Sequence, residues 1–205
     1  MSDPVRRLAR LVPRTEARTA SADLAAQVAD LAAAAGRLDV ALAEVESPIG
    51  SLLVAVTPRG LVRVAFEDED RDLVLDDLAR RVSPRILAAA AATDEVRRQL
   101  DQYFEGGRRR FDVRVDRRLM TAFTRQVLRR TARVGFGEVA TYGQIAAAIG
   151  RPRAARAVGA ALGANPVPIV VPCHRVIGSS GSLIGYAGGL DRKTTLLRLE
   201  GSLPG

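Results

Sequence analysis

Cysteine and histidine each occur once in these 205 residues. A single cysteine excludes an intrachain disulfide, which fits a reducing compartment. One cysteine and one histidine also fall short of the four ligands of a structural zinc site, so no metal and no cofactor is expected. Lysine too occurs once, as Lys193, against 30 arginines. No apolar run reaches about 18 residues, which excludes a transmembrane helix. The first residues, "MSDPVRRLARLVPRTEARTA", carry arginines with no continuous hydrophobic segment behind them, so no secretory signal is expected. These absences point to a cytoplasmic protein without a membrane partner. No internal repeat is visible.

What is present is an ordinary globular composition, 47% apolar and 26% charged, with a net charge of +8. The charge is unevenly spread. Residues 36–106 hold 9 arginines against 14 acids, net −5, whereas residues 107–156 hold 13 arginines against 3 acids, net +10. A basic stretch of this kind suits a surface that faces a polyanion. The bland alternative is coding bias, since arginine replaces lysine almost throughout.

Along the chain, Leu24, Val28, Leu31 and Ala35 repeat at helical spacing and stop at Gly36, which predicts one amphipathic helix packed on the body. The runs "DVALAEVES", "GSLLVAVTP" and "GLVRVAFED" predict an antiparallel meander with turns at Pro48-Ile49-Gly50 and Pro58-Arg59-Gly60. "DRDLVLDDLARRV" and "TDEVRRQLDQYFEG" read as helices, the second stopped by Gly106-Gly107. From residue 120 the pattern is mainly helical. "TYGQIAAAIG" starts with Thr141 as N-cap and stops at Gly150; "RAARAVGAALGAN" follows after Arg151-Pro152. Two short helices on a tight turn match a helix-turn-helix, and equally an ordinary helical hairpin. The second helix is nearly all small residues around one long cation, Arg156, so its backbone could approach a surface closely. Prolines 166, 168 and 172 then forbid a helix and are expected to hold the chain extended. A Gly/Ser loop from 178 leads to a terminal helix from about Leu190 to Glu200.

The unique cysteine and histidine are neighbours, in "IVVPCHRVIG" at 169–178. A lone buried cysteine is commonly just a small hydrophobe. Here Pro172 should turn the chain, and the adjoining His174 and Arg175 favour a lowered thiol pKa and a nucleophilic thiolate. Neighbours in a strand face opposite ways, so a direct Cys–His bond needs a bend, and otherwise a bridging water. A histidine base wants an orienting acid. Only Asp191 and Glu200 follow the cysteine, and Glu200 sits in an apolar helix where an unpartnered carboxylate is costly, so Glu200 is the candidate. Without a second cysteine, disulfide exchange has no resolving thiol. A thiol hydrolase remains open, and so does a thiolate that keeps the alkyl group it takes, since water does not cleave a thioether.

These residues resemble the O6-alkylguanine-DNA alkyltransferase family, also called methylated-DNA–protein-cysteine methyltransferases. "PCHRV" at 172–176 matches the family's active-site signature, and the string "RAARAVGAALGANPVPIVVPCHRVIGSSGSLIGYAGGLDRKTTLLRLEG" matches its C-terminal domain. The resemblance covers roughly residues 40–201 and is weaker over 40–112. It implies an α+β fold: a small ribonuclease-H-like α/β unit (37–115), then a mainly helical DNA-binding and alkyl-acceptor domain with a helix-turn-helix (116–205), after an N-terminal extension (1–36). It implies that Cys173 is the alkyl acceptor, His174 its base through a water, Glu200 the orienting acid, and Asn165 a brace for the turn before the cysteine. It further implies that Tyr142 presses on the phosphate 3′ to the target and that Arg156 fills the stack behind a flipped base. Tyr186, helped by Lys193, would donate to the departing guanine, and the carbonyls of Cys173 and Val176 would accept from its amino group. Ala187 and Gly188 would belong to the substrate-binding set; Ala187 stands where some members carry serine, and since the family's donor to O6 there is a backbone N–H, little should be lost. The implied partner is double-stranded DNA with alkylated bases, bound by a monomer in the minor groove with little sequence preference. The N-terminal zinc site of some members lacks its ligands here. Two other functions share the scaffold or the hairpin: a non-catalytic alkyl-lesion sensor, which would lack the cysteine, and a transcription regulator, which would prefer one operator strongly.

Overall fold

The three apolar runs between residues 39 and 68 form three strands in the computed structural model, which describes residues 28, 29, 31, 32 and 35–203. They are β1 (Val40–Val45), β2 (Leu52–Thr57) and β3 (Gly60–Phe66), paired antiparallel in sequence order. Their side chains alternate between two cores, as a pleated strand requires. Leu52 and Val54 enter the larger core, while Leu53 and Ala55 enter a smaller one with Val74 and Leu78 of helix α1 (Arg71–Arg81). Asp70 caps α1, accepting from the amides of Asp72 and Leu73.

A fourth strand, β4 (Ile86–Ala88), pairs parallel to the outer edge of β1. The sequence reading did not foresee it, because three residues show no period and the pairing partner lies more than forty residues away. Helix α2 (Ala90–Phe104) starts three residues earlier than its expected beginning at Thr93. It buries Val96, Leu100 and Tyr103 against the sheet and ends before Gly106, whose φ is 78°.

The chain then runs along β3. The Leu61 amide donates to Arg114 O, and the Asp116 amide donates back to Leu61 O, both at 2.8 Å. Gly60 makes this approach possible: a Cβ there would lie 2.2 Å from Arg114 O, and its φ is 122°. Helix α3 (Ala122–Thr131) follows, capped by Thr121, and then β5 (Ala140–Thr141), α4 (Tyr142–Ala148) and α5 (Ala155–Gly163). Thr141 closes a capping box with Gln144, which stabilises this helix start by about 1 kcal/mol.

The segment after α5 is not extended. Residues 166–171 form turns, and Ile169 adopts φ 71°, the one positive φ outside glycine among the described residues. The Asn165 carboxamide accepts from the Val167 amide and donates to Val171 O, bracing the tight loop in which Ile169 sits. A 3₁₀ turn (Cys173–Arg175), β6 (Val176–Ile177) and α6 (Gly189–Leu199) complete the order.

The larger core runs through both halves. Leu52, Leu61 and Tyr103 share it with Val127, Val158 and Leu196, and the Val64 amide in β3 donates to Pro166 O at 2.8 Å. The fold is α+β, a small N-terminal sheet followed by a helical C-terminal part. Most of the helix expected over 24–35 lies outside the described residues. Within it, Val28 and Leu31 are exposed, while Ala29 is buried with Leu38, Ala41 and Ala89. The inward face is therefore one residue off the expected stripe, and it is small. No helix among the described residues is long and apolar enough to cross a membrane.

Candidate active site

Cys173 opens the 3₁₀ turn behind Pro172, so the chain bends where the proline predicted it would. The thiol is buried. Its sulfur accepts a hydrogen bond from Asn165 Nδ2 at 3.2 Å, and the same amide nitrogen donates to Val171 O at 2.9 Å. Asn165 thus braces the turn and also touches the sulfur. Burial pushes the thiol up to about 11; the Asn165 hydrogen bond and the nearby Lys193 charge oppose this without overcoming it. The lowered thiol expected from sequence is therefore corrected. Desolvation outweighs the neighbouring cations, and the resting sulfur is protonated at neutral pH.

His174 is fully buried. Its Nε2 lies 2.9 Å from Glu200 Oε1, while its Nδ1 has no hydrogen-bond partner in the protein. Burial lowers its pKa below the ordinary 6.5 despite Glu200, so the imidazole is neutral at pH 7 and can take a proton. Glu200 caps the C-terminus of α6. Burial alone would raise its pKa, but hydrogen bonds from His174, Arg175 and Tyr103 hold it at about 2.

Two of those partners were not singled out from sequence. Arg175 is buried and binds Glu200 through Nε at 2.7 Å and Nη2 at 2.8 Å, while Nη1 donates to Val134 O. Tyr103, from α2 of the N-terminal half, donates its hydroxyl to Glu200 Oε1 at 2.6 Å. Arg175 had a signal: a charge inside "VVPCHRVIG" is as costly to bury alone as Glu200 is. Tyr103 had a fainter one, a phenol on the apolar stripe of α2 whose buried hydroxyl needs a partner.

A cavity of about 600 Å³ opens over the sulfur. Cys173 lines it with Tyr142, Arg156, Gly159, Tyr186 and Ala187, among others. The outward face of α5 carries Arg156, Ala157, Ala160 and Gly163, all exposed, while Val158, Ala161 and Leu162 are buried. Apart from Arg156, nothing on that face projects far. Tyr186 lies edge-on to His174, and its buried hydroxyl has no protein partner. Burial and the Cys173 sulfur raise its pKa well above the ordinary 10.0, so it is a proton holder and a donor. Gly188 is buried beneath this ring; a Cβ there would meet Phe66 at 2.6 Å.

Tyr142 donates its hydroxyl to Ile184 O at 2.9 Å, so in this state it holds the 184–185 loop. Lys193 is buried with its ammonium on Val176 O at 2.7 Å and Ile184 O at 2.9 Å. It pins the same loop to β6 and contacts the Val176 carbonyl; no hydrogen bond joins it to Tyr186. Among the described residues, no three His, Cys, Asp or Glu side chains gather as metal ligands.

Two family models match the chain. One, described as the DNA binding domain of 6-O-methylguanine DNA methyltransferase, spans residues 122–202; the other, its ribonuclease-like domain, spans 41–117. A methylated-DNA–protein-cysteine methyltransferase of Mycolicibacterium paratuberculosis is 46% identical over 156 residues, 76% of this chain and 89% of that protein. A methyltransferase of the same name from Methanosarcina acetivorans is 43% identical over 157 residues, 77% of this chain and 96% of that one. Among solved structures, Mycobacterium tuberculosis O6-methylguanine methyltransferase superposes with a TM-score of 0.69 at 39% identity, covering 80% of this chain and 93% of that one. Mycobacterium tuberculosis OGT in complex with DNA gives 0.67 at 40% identity, covering 78% and 91%.

Proposed function

The chain belongs to the 6-O-methylguanine DNA methyltransferase family, and from that membership we propose that it repairs alkylated DNA by moving the alkyl group from O6 of guanine onto its own Cys173, once per molecule. The observation that carries the reading is the buried Cys173 sulfur at the floor of a cavity, beside a neutral His174 fixed by Glu200. The sulfur starts protonated. A water bridging Sγ to the unpartnered Nδ1 of His174 passes the thiol proton to the imidazole, and Glu200 stabilises the imidazolium that forms. The thiolate then attacks the alkyl carbon. A carbon–sulfur bond forms, the carbon–oxygen bond breaks, and its electron pair stays on the guanine, which takes up one proton. The product is a thioether that water does not cleave, so no second cycle follows.

O6 is out of reach within a duplex, so the nucleotide must leave the stack. The flat outer face of α5 suits close approach to the minor groove, and Arg156 fills the vacated space. Tyr142 presses on the 3′ phosphate, exchanging the loop carbonyl it now holds. Tyr186 donates to the departing base, while the carbonyls of Cys173 and Val176 accept from its amino group. Lys193 acts at one remove, by holding Val176 and the 184–186 loop in place. Ala187 lines the pocket and offers its backbone N–H to O6, while Gly188, which lies outside the pocket lining, lets the loop pack under Tyr186; the same pocket admits O4-alkylthymine. Residues 37–115 form the ribonuclease-H-like unit and 116–205 the DNA-binding and acceptor unit of a cytoplasmic monomer.

The test is a peptide mass map after incubation with duplex containing O6-methylguanine. One methyl should appear on the Cys173 peptide, with a plateau equal to the protein concentration. A methyl elsewhere, or more than one equivalent, defeats the mechanism. Arg156→Ala should slow repair of duplex far more than transfer from the free base; equal losses would remove Arg156 from the flipping step.

A further inference from the structure

Most of the basic charge of residues 107–156 lies away from the Cys173 cavity. A second cavity, of about 620 Å³, is lined by Arg109, Arg110, Arg117, Arg125, Arg129 and Arg133. The two cavities share no lining residue. Ile169 to Pro172 line this one and Cys173 the other, so the backbone of the cysteine segment is the wall between them. Its floor is apolar, with Phe111, Val115, Met120, Leu128 and Phe136.

The absence of carboxylates distinguishes the cleft. Among the described residues no Asp or Glu lines it, although a seventh arginine of its lining, Arg175, is paired with Glu200. Elsewhere the chain pairs its arginines freely: Arg71 with Glu44, Arg85 with Asp39, Arg97 with Asp94, Arg108 with Asp112. Among the described residues, none of the six cleft arginines named above forms an ion pair. Arg125 and Arg129 stand one turn apart on α3, both exposed, and Arg133 follows at the same spacing just past its end. Like charges so placed repel one another along the helix. The helix dipole favours Arg129 and Arg133 at the C-terminal end of α3, but it does not account for Arg125 or for the missing counter-charges, whereas a polyanion laid along α3 would be attracted to all three.

We propose that this cleft is a second nucleic-acid site, which holds the phosphodiester backbone of a segment other than the one presenting a base to Cys173. Guanidinium groups along a rim, over an apolar floor with aromatic rings, suit a sugar–phosphate chain better than a compact anion, which would need donors converging on one point. The segment is either a flanking stretch of the duplex under repair or a second duplex.

The triple variant Arg125→Ser/Arg129→Ser/Arg133→Ser, in the full chain, separates these sources. Methyl transfer from free O6-methylguanine base should stay at the wild-type rate, because none of the three touches the Cys173 cavity. If the segment belongs to the same duplex, the dependence of log affinity on log salt for one short lesion-free duplex should flatten by roughly 2 to 3. If it is a second duplex, wild-type protein on immobilised duplex should capture a labelled duplex from solution and the triple variant should not. An unchanged salt slope together with unchanged capture overturns the proposal. Should the triple variant lose free-base transfer, Arg129→Ser alone decides, with a slope change near 1 expected. The free-base arm reads Cys173 and the other two read the cleft, so either assignment can fail without the other.

Discussion

The two nitrogens of His174 stand in unlike surroundings. Nε2 faces Glu200, whose two oxygens also take hydrogen bonds from Tyr103 and twice from Arg175. Nδ1 has no protein partner, and the neighbouring Cys173 sulfur has Asn165 as its one side-chain donor. One side of the ring is anchored from three elements, including the N-terminal half of the chain. The other is left poor in partners. Buried polar groups are normally satisfied, so on the mechanism proposed above the contrast separates the atoms that hold geometry from those that react.

Removing one side chain from each side tests that division most severely. Cys173→Ser should abolish transfer and leave the fold standing, because serine fills nearly the same space and can still meet Asn165. Glu200→Gln should do the reverse in emphasis. It leaves the Arg175 guanidinium buried without its counter-charge, which costs about 3–5 kcal/mol of stability, and it weakens the base, slowing transfer by roughly 10²–10⁴. Urea unfolding midpoints and single-turnover rates measure both. A Glu200→Gln protein as stable as wild type would mean that the anchored side is not an anchor.

Tyr103→Phe sharpens the comparison at lower cost. The ring still packs against Phe104, Phe111 and Phe136, so only the hydroxyl is lost. A hydrogen bond to a charged group contributes about 1.5–3 kcal/mol, and the midpoint should fall accordingly. Glu200 keeps Arg175 and His174, so transfer at pH 7 should stay within about tenfold of wild type. Transfer that falls as steeply as in Glu200→Gln would make the N-terminal half a participant in the proton step rather than a support.

Sequence reasoning reached the reactive side of the ring and missed most of the anchored one. Pro172, Cys173 and His174 are contiguous, Asn165 lies within one loop of them, and Thr141, Gly60 and Gly106 punctuate elements by local rules that hold whatever the tertiary context. Glu200 was found because a carboxylate in an apolar helix is costly. Arg175 meets the same criterion but was absorbed into the expectation of an activated thiolate. Tyr103 lies 97 positions from Glu200, and only the packing of α2 against the shared core brings them together. β4 and the reversed Ile169 depend on partners beyond any local period. The thiol's own pKa was misjudged for the same reason: cations near Cys173 can be counted along the chain, whereas desolvation is a property of the folded pocket.

That desolvation yields the smallest and most specific effect. Burial raises Cys173 from its ordinary 9.0 to about 11, so on raising the pH the unfolded chain releases the thiol proton first. Between pH 9 and 11 the folded state holds more protons than the unfolded one, and stability falls as pH rises through that window. The contribution is fully present below pH 9. Tyr142, Tyr186 and Lys193 also titrate on the alkaline side, so the measurement must be a difference. Wild type minus Cys173→Ser, followed by urea unfolding from pH 8 to 10, should show wild type losing about 1 kcal/mol more by pH 10. Equal slopes would place the thiol's pKa in the folded chain near its ordinary value. A thiol at its ordinary value is still almost wholly protonated at pH 7, so His174 would keep its proton to collect; what would fall is the claim that burial, rather than the cations and Asn165, governs the sulfur.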